Sequence, residues 1–245
     1  DCQIQVTFEE VIPLAIQAGI EDQSLAQCVN DSGNSNPEQA QYLYCAWQGY
    51  TEINSLVGLE NLVNLRAIYF PELNIGTHLD LSALENLSVI HIQGGGAIES
   101  LTVFDPSMVT ELELRDQNLT TFDLSEYTQL ERLSMFNNPL QAIDISAQGL
   151  LSYLDLQNTE ISSLDLSSNF LLNELHLNSP SITELGIGHL VNLERLFLWG
   201  LSDLTQLNTS NLSNLIYLFV SHTGVNSLDL SNLSKLTDLN IAGTS

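Results

Sequence analysis

The feature that most constrains this chain of 245 residues is a leucine-type residue that returns every 21 or 22 positions. In each unit, further apolar residues stand three and five positions later, which is the alternating pattern of a short strand. A stretch rich in Asn, Thr, Ser and Gly follows, and these residues favour a turn. The positions that open units one to nine are Leu65, Leu87, Val109, Leu130, Leu151, Leu172, Leu193, Leu215 and Leu236.

This period predicts a solenoid, because no single unit could bury its own leucines. Units that stack side by side cover one another, and their first halves pair as parallel strands. We therefore predict an α/β solenoid with a curved parallel sheet on the concave side and short turns or 3-10 segments on the convex side. The predicted repeat array covers residues 53–245, with about nine strands and a partial last unit.

The repeats resemble those of bacterial internalin-like leucine-rich repeat proteins. Residues 53–65 (INSLVGLENLVNL) carry the pattern through Ile53, Gly58 and Asn64, and 164–169 (LDLSSN) is similar to the short repeats of that group. The resemblance implies an extracellular binding or adhesion protein with a helical N-terminal cap. The chain departs from the family at the asparagine ladder, which it keeps at Asn138. We therefore expect a patchy ladder, since that position elsewhere holds Gln117, Thr159, Pro180, Leu201 and Thr223.

Residues 1–52 lie outside the repeat, and we predict that they form a helical cap, because a bare solenoid end would expose leucines. Thr7 and Glu10 fit a capping box. The SLAQCV that follows Asp22 fits a short helix, and Pro37 fits the first position of another.

The three cysteines, Cys2, Cys28 and Cys45, all lie in this segment. They form no CxxC pair and have no neighbouring histidine, which argues against zinc. We predict a disulfide between Cys28 and Cys45, which flank what looks like the end of the cap. Three reduced thiols are the alternative, and the partner of Cys2 is left open.

Charge excludes several classes of partner. The chain has 30 acidic and 5 basic residues, a net charge of −25. Phosphate contact needs clustered Lys and Arg, so nucleic acid and anionic membrane surfaces are not expected as partners. No apolar run approaches the length of a membrane helix. The start at Asp1 indicates a processed product, and the unfinished unit at 236–245 leads us to expect a further repeat or extracellular module.

Catalytic motifs are missing from the sequence, which holds no nucleophile elbow, P-loop, HExxH or GxGxxG. Gly94 to Gly96 stand at a turn without a following lysine. The five histidines are spread over units one, two, six and eight, and we predict no metal site at these histidines. We also predict no cofactor and no enzymatic activity. The histidines are His78, His91, His176, His189 and His222.

One column of carboxylates has two interpretations. We expect each Asp to cap the turn that begins at LDLS by accepting backbone N–H bonds. The alternative is calcium, which takes oxygen ligands from stacked carboxylates. The column holds Asp123, Asp144, Asp165 and Asp229, with Asp80 close to it.

The concave face concentrates aromatic and basic residues. Positions two, four, six and seven after each opening residue should point outward, and they hold 7 of the 17 aromatics and three of the five basic residues. Tyr, Trp and Arg are typical of binding hot spots, although aromatics also favour strands in general. The predicted partner-binding residues are Arg132, Phe136, Tyr153, His176, Arg195, Phe197, Trp199, Tyr217, Phe219 and His222.

Three functions fit this sequence. The first is a secreted or cell-surface module, monomeric in itself, that binds a protein on the concave face. The second is a carbohydrate-binding surface protein, with aromatic platforms beside polar groups, and the third is a purely structural stalk. The polar groups beside the aromatics are Asp155, Asn158, Glu174 and Asn178.

Overall fold

The computed structural model describes residues 13–45, 52–96 and 98–244. Strands of these residues form a parallel solenoid, which confirms the predicted fold class. Ten strands make one curved sheet in which neighbours along the chain pair in parallel. They are β1 (Tyr42–Tyr44), β2 (Ala67–Phe70), β4 (Val89–Gln93), β6 (Glu111–Arg115), β7 (Arg132–Ser134), β8 (Tyr153–Gln157), β9 (Glu174–Asn178), β10 (Arg195–Trp199), β11 (Tyr217–Ser221) and β12 (Asp238–Asn240).

The register of this sheet follows the repeat. Arg195 lies opposite Tyr217, Phe197 opposite Phe219 and Leu196 opposite Leu218. Each position of the repeat therefore forms a row that crosses the strands. The leucine rows point inward and are buried from β2 to β11, while the intervening rows form the concave face.

Two helices precede the sheet, α1 (Leu14–Ala18) and α2 (Gln23–Asp31). The α2 helix follows Asp22 as predicted, and the Oδ1 atom of Asp22 caps it by accepting the Leu25 N–H at 2.8 Å. Leu25 belongs to the same buried cluster as Leu62. The helical segment thus shares the core of the first repeat unit.

A 3-10 turn at Pro37–Gln39 and strand β1 complete the N-terminal segment. Asn36 caps this turn, and Pro37 occupies its first position as predicted. Strand β1 was not predicted, so the sheet begins inside the segment that the sequence assigns to the cap. A disulfide joins Cys28 on α2 to Cys45 after β1, the predicted pair. The predicted capping box and Cys2 lie outside the described residues.

The convex side combines turns with a small sheet. Two strands, β3 (His78–Leu81) and β5 (Ser100–Val103), pair in parallel behind the first units. This small sheet differs from the prediction for the convex side, which is of turns or 3-10 segments alone. In the described part of the chain, 3-10 segments on the repeats occur at Leu59–Asn61 and Pro106–Met108, and turns follow from unit three onward. No helix among these residues is long and apolar enough to cross a bilayer.

The aspartate column acts as predicted for turn caps. Each carboxylate accepts the backbone N–H of the serine two residues later at 2.9 Å. Hydrogen bonds with the side chain and the backbone N–H of the same serine lower the pKa of each carboxyl below its usual range. Among the described residues, no group of three or more His, Cys, Asp or Glu side chains is arranged so that it could hold a metal ion. The capped pairs are Asp80–Ser82, Asp123–Ser125, Asp144–Ser146, Asp165–Ser167 and Asp229–Ser231.

The asparagine ladder is patchy, as expected. Asn138 Nδ2 donates to the Leu114 and Met135 carbonyls at 2.8 and 3.1 Å. The shorter Thr159 hydroxyl reaches only the Leu156 carbonyl, at 2.9 Å. A second polar ladder was not predicted, in which the buried Gln148 amide donates to the Leu124 carbonyl of the preceding unit. Side-chain amides inside turns therefore replace water for backbone groups that the stack buries.

Replacing Asp144 tests the capping role. Asp144→Ala should lower the thermal midpoint at neutral pH, whereas Asp144→Asn should retain it, because asparagine can accept the same Ser146 N–H. The folded-state pKa is lowered, so the carboxylate's contribution is present above the ordinary carboxyl pKa and is lost as pH falls. Thermal melts at neutral pH and at about pH 2–3 measure both effects. An equal neutral-pH loss in the Ala and Asn variants would contradict the cap.

Candidate functional site

The concave rows contain two clusters of interacting side chains. The first, here called the ionic cluster, lies on β4, β6 and β7. The second, here called the aromatic cluster, lies on β8 to β11 and contains most of the predicted binding residues. The ionic cluster is His91, Glu111, Glu113, Arg115 and Arg132; the aromatic cluster is Tyr153, Glu174, His176, Arg195, Phe197, Trp199, Tyr217 and Phe219.

The centre of the aromatic cluster is a stack of rings. His176 and Phe197 stack with centroids 4.4 Å apart, and Phe197 and Phe219 stack at 5.0 Å. These residues hold the same repeat position on adjacent strands, so strand spacing of about 4.8 Å brings the rings to stacking distance. Tyr153 packs at a tilt against His176, with centroids 5.6 Å apart. The sequence predicted the row, and the stacking is a consequence of its register.

The row beside this stack repeats Glu, Arg and Tyr twice across six strands. Its members are Glu111, Arg132, Tyr153, Glu174, Arg195 and Tyr217. Each arginine bridges a carboxylate on the strand before it and a tyrosine ring on the strand after it. The Arg195 Nη1 atom lies 3.2 Å from Glu174 Oε2, and the Arg195 guanidinium lies 5.4 Å from the Tyr217 ring centroid.

Arg132 repeats this arrangement more tightly. Its guanidinium lies 3.9 Å from the Tyr153 ring centroid, and its nitrogens lie 3.7 Å from Glu111 and 3.5 Å from Glu113. Arg132 is half-buried, whereas Arg195 is exposed. The two arginines therefore have a structural role in the row, and of the two Arg195 remains the more accessible to a partner.

Exposure separates the other predicted residues. Trp199 is 53% exposed, the ring most available to a partner in the aromatic cluster. Its neighbour across the strands is Ser221, and its ring meets the edge of His222 at 6.1 Å. Phe136 is half-buried, and in the described part of the chain it makes no ring contact with the cluster.

His222 occupies a position that requires left-handed backbone. Its φ is 54°, and the same position in other units has Asp116, Asn137 and Asn158 with φ of 55 to 57°. Gly200 stands there in unit seven with φ of 73°. Asn, Asp and Gly tolerate this conformation well, and His also occurs there more often than most residues. The left-handed backbone at the end of β11 thus places the His222 ring beside Trp199.

The ionic cluster was not among the predicted binding residues, apart from Arg132. Glu113 is buried and pairs with Arg115 at 3.0 Å. His91 Nε2 lies 3.2 Å from Glu111 Oε2, and burial lowers the pKa of His91 despite the nearby carboxylates. The sequence pattern that could have predicted this cluster is the recurrence of His, Glu and Arg at outward positions of adjacent units. Their mutual pairing leaves little free charge in this cluster.

Two carboxyls border the ring stack, and their pKa values shift in opposite directions. Asp155 is only 4% exposed, and burial raises its pKa even though Gln157 N–H and Ser134 Oγ donate to it at 3.1 and 3.3 Å. Burial alone would also raise the pKa of Glu174, but hydrogen bonds with His176 and Arg195 outweigh it and lower that pKa. The sequence predicts Asp155 only as a polar neighbour of a glycan site, whereas the structure places it beneath the concave face.

No protein-family model matches this chain, and no curated protein matches it. Solved structures do resemble it. The functional domain of InlJ from Listeria monocytogenes, which includes a cysteine ladder, gives a TM-score of 0.62 at 22% identity over 91% of this chain and 60% of that one. An internalin, InlF, from Listeria monocytogenes gives 0.60 at 17% identity, over 95% and 78%.

A plant structure shares the same architecture. The Arabidopsis receptor kinase HAESA, in complex with the peptide hormone IDA and the co-receptor SERK1, gives a TM-score of 0.61 at 16% identity over 95% of this chain and 41% of that one. The fold of the present chain is thus the leucine-rich repeat solenoid of internalin-like proteins. At these identities the likeness shows the fold, and the chain spans 60% of the InlJ domain.

Asp155→Asn should change the pH dependence of stability. Because the folded-state pKa is raised, the carboxyl favours folding below its ordinary pKa and disfavours it once pH rises through the raised value. The variant should therefore gain stability relative to the native chain at pH 7 and lose that advantage at about pH 4. Urea unfolding at both pH values measures the difference. If the stability of the variant relative to the native chain is the same at the two pH values, burial does not raise the pKa of Asp155.

His222 offers a test of the left-handed position. We expect His222→Asn to change the free energy of unfolding by less than about 0.5 kcal/mol, because asparagine adopts this conformation readily. His222→Val should lower it by about 1–2 kcal/mol, because a β-branched residue fits left-handed backbone poorly. Denaturant unfolding compares the two, and equal stability of the variants would show that the backbone does not require φ above zero here.

Proposed function

We propose that this chain is an extracellular, non-enzymatic recognition module that binds a protein partner on the concave face of units five to eight. The observation that carries the proposal is the exposed Trp199 beside the stacked Phe197 and Phe219, with Arg195 at the rim of the same cluster. Trp, Tyr and Arg dominate binding energy at protein interfaces. The curved sheet presents them together on a rigid surface, so little ordering is needed on binding.

The geometry favours a protein over a glycan. Sugar rings stack on free aromatic faces, but Phe197 lies between His176 and Phe219, which cover its two faces. Arginine guanidinium groups lie over the rings of Tyr153 and Tyr217. Trp199 is the exception. The cluster therefore offers ring edges and one large indole, which suits a protein side chain that packs among them. A glycan remains the second candidate, because Trp199 has polar Asn178 nearby.

Two further observations support an interacting role rather than a structural stalk. HAESA, which has the same fold, was solved with a peptide hormone and a co-receptor. The concave face holds 7 of the 17 aromatics and three of the five basic residues, a concentration that a stalk does not need. The Cys28–Cys45 disulfide supports an oxidising, extracellular location. The net charge of −25 supports a partner other than nucleic acid.

Alanine substitution at the cluster tests the proposal. Trp199→Ala should weaken binding of the captured protein partner by about 30-fold or more, as expected for a hot-spot tryptophan. Phe219→Ala should weaken it as well, with some loss of stability because its ring is stacked. The partner is first isolated from extracts of host or neighbouring cells and identified, and affinity is then measured with the purified pair.

The matched control is Phe104→Ala, which removes an aromatic ring that is 55% exposed but lies outside the concave sheet. It should bind like the native chain. A glycan array run in parallel distinguishes a glycan ligand from a protein partner. If the native chain binds a defined glycan and Trp199→Ala abolishes that binding, the glycan replaces the protein as the proposed ligand. Normal partner binding by both concave variants would show that the site lies elsewhere.

A further inference from the structure

Exposed apolar side chains gather at one edge of the sheet, where the chain enters β8, β9 and β10. We call this the rim patch. Its members stand one or two positions before the opening leucines of units five to seven, so residues at the same position are one strand spacing, about 5 Å, apart. They are Leu150 (40% exposed), Phe170 (57%), Leu171 (49%) and Val191 (50%).

The rim patch replaces a structural hydrogen bond that other units have. Immediately before the opening leucine, four units carry an asparagine whose Nδ2 donates to a backbone carbonyl of the preceding turn. Leu150 and Leu171 hold this position in units five and six and cannot donate. In the described part of the chain, no side-chain amide reaches the equivalent carbonyls of Thr128 and Gly149. The existing bonds are Asn64 to Glu38 (2.8 Å), Asn86 to Val63 (3.0 Å), Asn192 to Phe170 (2.9 Å) and Asn214 to Val191 (2.8 Å).

Packing does not explain these leucines. A core leucine of this fold is almost fully buried, whereas both rim leucines expose two-fifths or more of their surface. Phe170 meets the edge of His189 at 5.6 Å and still remains more than half exposed. No asparagine stands at this position in units three to six, and in units five and six the leucines that replace it leave apolar surface in water. A contiguous exposed patch of this kind marks an interaction site.

Charge indicates what covers the patch. Its four residues are neutral, and the glutamates Glu131 and Glu194 flank it on the strand-entry positions of units four and seven. The whole chain carries a net charge of −25, so two copies repel each other. A surface with an apolar centre and a basic border is complementary to this arrangement.

We propose that the rim patch docks a protein partner through an apolar contact surface bordered by Lys or Arg. Leu171 precedes Glu174 of the aromatic cluster by three residues, roughly 10 Å of extended chain. A partner on the concave face can therefore continue over the rim. The inference that one partner covers both surfaces rests on the proposed function. Docking at the rim patch alone does not depend on that function.

The experiment uses a random peptide library displayed on phage, selected against the native chain. Enriched peptides are synthesised and their affinities measured for the native chain, for the Leu150→Asn/Leu171→Asn double variant, and for Trp199→Ala. The matched control is Met108→Asn, which changes the same repeat position in unit three, where the side chain is 41% exposed and outside the patch.

We expect enriched peptides that combine aromatic or aliphatic residues with Lys or Arg. They should bind the double variant at least about tenfold more weakly and the Met108→Asn control normally. The double variant should keep or raise its thermal midpoint, by about 2–4 °C, because each asparagine restores an amide-to-carbonyl bond. Lost binding with retained stability separates a contact role from a structural one.

Four results would overturn the proposal. They are enriched peptides that bind the double variant as tightly as the native chain, the absence of any enriched peptide, a lowered thermal midpoint of the double variant, and self-association of the native chain that the double variant abolishes. Peptides weakened only by Trp199→Ala would place binding on the concave face and refute the rim. Peptides weakened only by the double variant would support the rim even if the concave proposal fails.

Discussion

The in-register pairing of parallel strands is the interaction on which this molecule depends. No unit of 21 or 22 residues encloses its own leucines, so the core exists only where one unit covers the next. The same pairing decides which polar and aromatic side chains meet. Phe197 lies opposite Phe219 because Leu196 lies opposite Leu218, and the concave surface is a consequence of the buried one. A slip by one residue would exchange the two faces.

The concave face shows how a strongly acidic chain uses few basic residues. Three of its five basic residues lie there, and two of them, Arg132 and Arg195, each join a glutamate on one strand to a tyrosine on the next. This arrangement neutralises carboxylates and fixes ring orientation at the same time. Where carboxylates and guanidinium groups pair with one another, as around Glu113, the surface offers little free charge to a partner. The Trp199 ring and the Arg195 guanidinium remain exposed, which distinguishes units five to eight from the four units before them.

Periodicity predicts most of the fold and less of the site. The opening leucines predict nine strands and the direction of their side chains, because spacing and burial are linked in a repeat. Strand β1 could not be found this way, since Tyr42–Tyr44 lies outside the period. Strands β3 and β5 occupy a part of the repeat whose residues favour turns in later units. At the site, the rows were predicted, but the burial of Asp155 and the pairing of His91 with Glu111 depend on how neighbouring side chains fill the face.

The central claim, that the concave surface of units five to eight is the recognition surface, is tested most directly by hydroxyl-radical footprinting of the chain with and without its captured partner. If this claim holds, oxidation of Trp199, Tyr217 and Phe219 falls when the partner is bound. Tyr42 and Tyr44, which lie on the same sheet at its other end, serve as internal references and should be unchanged. Unchanged oxidation of Trp199 with protection confined to the convex side or to the first strands would contradict it.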